Sequence, residues 1–278
     1  MLKDSATQVS IDREPQVGSR PFDPVEVITG NDEAGLLLLC DHAAADIPKK
    51  YGDLGVGGDS WARHIACDIG AGPLTRELAA RLNAPALLTR FSRLLIDPNR
   101  GEDDPTLVMR ISDRVVIPGN AKVDGAELDY RLDNFHRPYH KAIEERLSTL
   151  TMDGRLPVIL SIHSFTHSWR GKDRPWHVGV LWDKDPRLAV PLIDALRAEE
   201  SLVVGDNEPY VGSLFGDTMN RHGTRSGIAH ALVEVRQDLI LSPEGVQEWA
   251  DRLAPVIERL MALDGLHDMV KFGSWSDL

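Results

Sequence analysis

Two histidines and a glutamate occupy the same kind of place in this sequence. His42 closes the run "LLLLCDH", His163 closes "PVILSIH", and Glu234 follows the apolar residues of "IAHALVEV". Short unbroken apolar runs suit strands buried on both faces. In open α/β sheets, ligands bind outside the carboxyl ends of such strands. Two imidazoles and one carboxylate form the donor set of a catalytic zinc, which keeps a position open for water. A glutamate delivered from a third strand is suited to take a proton from that water and return it to a leaving amine.

The spacing leaves the third donor open among four aspartates. Asp41 adjoins His42, but in an extended strand its side chain points to the opposite face. Asp46 can reach back through a turn, and Asp59 precedes a helical stretch. Asp68, in "RHIACDIGAG", stands just before a helix, and it shares a face with His64 if that segment is helical. Arg93, Arg100 and Arg236 are candidate carboxylate binders, because a guanidinium fork matches a carboxylate with two hydrogen bonds. Each arginine also has a structural reading: Asp97 with Arg100 as a turn-shaping ion pair, and Glu234 with Arg236 as a strand ion pair. His136 and His140, in "HRPYH", have the spacing of a metalloprotease helix but lack the glutamate after the first histidine, so they read as buried or supporting residues. No GxGxxG, GxxxxGK or GxSxG motif is present, which removes support for nucleotide binding and for a serine-hydrolase elbow.

The elements that must position these groups alternate between strand and helix patterns, the mark of an α/β sheet with helices on both faces. Strands are expected at 35–40, in the 84–97 segment as a pair or one bent strand, and at "PVILSIH", "HVGVLWD", "LVVGD" and "HALVEVRQDLI", the last closing the sheet. Helices are expected from about Gly72 to Leu82, at 136–150, after Pro186, and over 243–263. Residues 101–134 are rich in charge and turn formers and read as a long functional excursion, a lid or a wall. Residues 1–30 read as a loosely ordered lead-in, and 31–278 as one catalytic domain. The formal net charge of −12 argues against nucleic-acid binding, and no apolar run approaches the roughly 20 residues of a membrane span. The N-terminal residues lack the apolar core of a secretion signal, so a cytoplasmic protein is expected. Cys40 and Cys67 lie in apolar surroundings and read as free buried thiols.

Taken in order, "CDHAAADIP", "RHIACDIGAG", "SRLLIDPNR", "SIHSF" and "HGTRSGIAHALVEVRQDLI" resemble the N-formylglutamate amidohydrolase family. The first two depart from the "PHSG"-like and "DTDW"-like forms of members acting in histidine degradation, which marks a divergent branch. The resemblance implies a three-layer αβα fold with a mostly parallel or mixed sheet, of the phosphorylase/hydrolase type found in zinc carboxypeptidases. It implies one divalent metal, most simply zinc, and hydrolysis of N-formyl-L-glutamate to formate and glutamate, or of a related N-acyl amino acid. By the same likeness His42, Asp68 and His163 are the metal ligands and Glu234 is the general base. Arg93, Asn99 and Arg100 then hold carboxylates of a small anionic amide. Two other readings stand beside it: an amidase or carboxypeptidase acting on peptides, and a non-catalytic binder of small anions.

Overall fold

A computed structural model describes residues 22–57, 65–151 and 154–277. In chain order the elements begin with β1 (Val25–Ile28), β2 (Leu36–Cys40), α1 (Ala71–Leu82) and β3 (Ala86–Thr89). A small hairpin of β4 (Ile111–Ser112) and β5 (Val115–Val116) leads to α2 (Gly125–Arg131) and α3 (Arg137–Leu150). After β6 (Val158–Phe165) come a second hairpin, β7 (Ser168–Trp169) with β8 (Lys172–Asp173), then β9 (Val178–Leu181) and α4 (Pro186–Arg197). β10 (Val204–Asp206), β11 (His230–Arg236) and α5 (Pro243–Leu260) follow.

Among the described residues, seven strands form one sheet in the order β1-β3-β2-β6-β11-β9-β10. β3, β2, β6 and β11 run parallel, while β9 is antiparallel to β11 and β1 is antiparallel to β3. Alternation along the strands splits the core between the two faces. Leu36, Leu38, Val158, Leu160, Ala231 and Val233 pack with α1, α4 and α5. Leu37, Leu39, Ile159 and Leu232 pack against Tyr139, Ile143, Leu147 and Leu150 of α3. The result is a mixed-sheet αβα sandwich, as the sequence leads one to expect.

Several local features differ from the sequence reading. Val25–Ile28, inside the expected lead-in, adds an edge strand by pairing with β3. In the 84–97 segment only Ala86–Thr89 is strand; "RLLID" turns instead, because Ser92 N–H donates to Asp46 O and Ser92 Oγ–H to Ala66 O. β11 lies in the middle of the sheet rather than at its edge, between β6 and β9. The 101–134 excursion carries its own elements, pinned by buried polar contacts. Asn120 Nδ2 donates to Leu94 O and Met109 O, and Arg131 Nη1 donates to Leu95 O and Asn120 Oδ1. Asp59 and His64 lie outside the described residues. No helix among the described residues is long and apolar enough to cross a membrane.

Candidate active site

Sheet register brings the strand-end residues together. β2 pairs with β6 so that Leu39 lies beside Ser161, and β6 pairs with β11 so that His163 lies beside Glu234. His42 follows two residues after β2 ends, and Asp68 N–H donates to His42 O at 3.0 Å, which ties the segment before α1 to the end of β2. Gly70 makes the turn from Asp68 into α1 at φ +81, where a side chain would be strained and a Cβ would strike Ile240 O.

The donors converge. His42 Nδ1 is 3.3 Å and His163 Nδ1 2.8 Å from Asp68 Oδ2, and one ligand atom from each residue lies within 4.8 Å of the others. The far nitrogens are held by other carboxylates: His42 Nε2–H donates to Asp97 Oδ1 at 2.7 Å, and His163 Nε2–H to Asp41 Oδ2 at 2.8 Å. An acidic acceptor at Nε2 keeps the proton there and turns the Nδ1 lone pair inward. Two inward lone pairs facing a carboxylate oxygen require a cation between them, so the donor set fits a divalent metal. Without one, protons take that place: burial opposes a charge on His163, yet its bonds to Asp41 and Asp68 raise its pKa well above the ordinary histidine value.

Asp41 therefore stands behind a proposed ligand instead of serving as one. Its second set of contacts comes from Ser161 Oγ–H and Thr218 Oγ1–H, both donating at 2.7 Å. Asp46 is exposed and is not among the converging donors. Replacing Asp41 or Asp97 with Asn should weaken zinc affinity by about 10–100-fold, because each orients an imidazole. Competition with a chromophoric chelator measures this directly; unchanged affinity would remove the orienting role.

Glu234 lines the same cavity, and its Oε2 is buried with no hydrogen-bond partner among the described residues. Burial pushes its pKa up to about 7, against the attraction of His163. It makes no ion pair with Arg236, which pairs with Asp238 at 2.8 Å and does not line the cavity. Arg93, Asn99 and Arg100 do line it. Arg93 is already engaged, with Nη2 2.7 Å from Asp97 Oδ2 and Nη1 3.6 Å from Asp68 Oδ1. Asn99 Oδ1 accepts from Thr218 N–H, which leaves its amide nitrogen as the end available to a ligand. Arg100 donates to Asn99 O and Thr106 Oγ1, and the expected turn pair between Asp97 and Arg100 is replaced by Asp97 with Arg93 and His42.

The cavity measures about 320 Å³, the scale of a small-molecule site. Ser112 and Asp113 at the tip of the β4–β5 hairpin form part of it, so the long excursion acts as wall. Trp182, Tyr210 and Leu214 add aromatic and apolar lining. The 207–212 loop can lie so close to the sheet because Gly179 leaves room where a Cβ would strike Glu208 O. Asp217, another buried lining residue, is pushed up to about 7 by burial. His136 and His140 are buried supports: His136 Nε2–H donates to Arg100 O and His140 Nε2–H to Pro98 O, holding the 98–100 turn. Cys40 and Cys67 are free thiols, the first buried and the second half-buried.

Residues 34–241 match the model of the N-formylglutamate amidohydrolase family. The chain belongs to the N-formylglutamate amidohydrolase family. Gene product Atu2144 from Agrobacterium tumefaciens superposes with a TM-score of 0.80 at 32% identity, covering 87% of this chain and 96% of that one. The N-formylglutamate amidohydrolase from Ralstonia eutropha JMP134 has the same fold, with a TM-score of 0.66 at 21% identity over 86% of this chain and 97% of its own. No curated protein matches the sequence. Family membership makes amide hydrolysis the activity class to be explained by the His42, His163, Asp68 and Glu234 arrangement.

Proposed function

We propose that this amidohydrolase cleaves the amide of an N-formyl or N-acyl amino acid with the help of one divalent metal held by His42, Asp68 and His163. The observation that carries the reading is the meeting of three donor atoms within 4.8 Å beside a buried Glu234 carboxylate oxygen that has no hydrogen-bond partner among the described residues. A bound zinc would supply Lewis acidity, polarising the amide carbonyl and acidifying water. The remaining steps belong to the chain. Glu234 takes the proton of the attacking water and hands it to the departing amine nitrogen. The engaged Arg93 lies beside Asp68 and faces the developing oxyanion, while Asn99 and Arg100 orient a substrate carboxylate. A cavity of about 320 Å³ suits a small anionic amide better than a polypeptide.

N-Formyl-L-glutamate is the first compound to assay, within a panel of N-formyl and N-acyl amino acids followed by amine release with and without added zinc. Zinc-dependent release from at least one member is expected. A metal-loaded protein that releases amine from none of them would contradict the reading.

A further inference from the structure

Arg174 has no part in the chemistry above and does not itself line the cavity, yet its guanidinium packs directly against residues that do. It follows β8, and its backbone N–H donates to His167 O at 2.9 Å. Only 8% of the residue is exposed. Its guanidinium carbon lies 4.9 Å from the ring centre of Tyr210, 5.5 Å from Trp169 and 5.8 Å from Phe165. Nη1 donates to Thr166 Oγ1 at 3.1 Å and to Thr166 O at 3.4 Å. Those four neighbours, Phe165, Thr166, Trp169 and Tyr210, all line the cavity.

What is missing is a counter-charge. Among the described residues no carboxylate forms an ion pair with Arg174, although buried arginines are ordinarily paired. Nearby arginines follow the rule: Arg93 pairs with Asp97 and Arg236 with Asp238. None of its nitrogens is a buried polar atom without a partner, and the uncharged Tyr210 hydroxyl is a further hydrogen-bonding neighbour. Aromatic faces and a threonine hold a guanidinium in place and leave its charge unneutralised. That combination describes an anchor waiting for an anion.

We propose that Arg174 is a specificity-determining residue that receives a carboxylate of the substrate at the aromatic side of the cavity, beyond Thr166. This anchor is separate from the Asn99 and Arg100 side, and the proposal rests on the amide-hydrolase reading. A guanidinium fork there takes a carboxylate by two N–H donors, whereas the uncharged carboxamide of the same shape lacks the charge and one acceptor.

The test compares compounds that differ by one carboxylate: N-formylglutamate against N-formylglutamine, and N-formylaspartate against N-formylasparagine. Wild-type protein, Arg174→Met and Arg174→Lys are assayed for kcat and KM, and the four compounds are also titrated calorimetrically. Arg174→Met should raise KM and Kd for the acids by about tenfold or more, the scale of a charged hydrogen bond, with little change for the carboxamides. Arg174→Lys should recover part of the preference. Equal changes for acid and carboxamide, or an unchanged acid preference in Arg174→Met, would overturn the proposal. Hydrolysis of none of the four by wild-type protein would count against the amidase reading, while the binding titrations still decide the role of Arg174.

Discussion

Replacing Glu234 with Gln should lower kcat by at least about a hundredfold and leave zinc content unchanged. The amide keeps the size of the carboxylate but cannot accept the proton of the attacking water. Glu234 is not among the three converging donors, so its loss should not release the metal. Its position supports the role: it lies beside His163 on the neighbouring parallel strand, buried and with no partner for Oε2 among the described residues. Burial raises its pKa to about 7, and the base form is the active one, so kcat/KM should fall as the pH drops through that value. A bound dication favours the ionised form and moves the acid limb lower, so its midpoint is expected at or below about 7. Steady-state rates across pH for a zinc-loaded sample check this. A Glu234→Gln protein with full zinc and near-wild-type turnover would remove the residue from catalysis.

The second large effect is expected at Asp68. Asp68→Asn should reduce zinc affinity by more than the 10–100-fold expected for an outer partner such as Asp41 or Asp97, and hydrolysis should be lost with the metal. The carboxylate touches both inward imidazole nitrogens and also faces Arg93. Despite burial, His42 and His163 hold its pKa below the usual carboxylate range, so it is the anionic member of the set. An amide in its place keeps the shape and removes the charge. Metal analysis after dialysis against a weak chelator, paired with amine release, separates loss of metal from loss of turnover. Wild-type zinc retention in Asp68→Asn would assign the acidic ligand elsewhere.

Much of this site can be read from residue order, and the reason is topological. Parallel buried strands announce themselves as apolar runs, and the first polar residues after them fall at one edge of the sheet. That locates His42, His163 and Glu234. The likeness of "RHIACDIGAG" to a family motif then selects Asp68, which spacing alone leaves level with Asp46 and Asp59. What stays hidden depends on long-range packing. Asp41 acts through His163, and that follows from the β2–β6 register and from Thr218, which lies 177 positions further along the chain. Arg236 shares a strand with Glu234, yet Asp238 two residues on captures it at the strand end. The central place of β11 is equally invisible to local pattern, because an apolar run looks the same beside one strand or two. Arg174 carries no motif at all; only its burial among Phe165, Trp169 and Tyr210, with no counter-charge among the described residues, marks it.

Amide hydrolysis by this protein is proposed to depend on a metal held by His42, Asp68 and His163. The most direct measurement strips the wild-type protein of metal with a chelator and titrates zinc back while amine release is followed. Stripped protein should show negligible release, and recovery should reach its plateau at about one zinc per chain, the stoichiometry of a three-donor hydrolytic site. Undiminished release from protein shown to be free of metal would contradict that metal dependence.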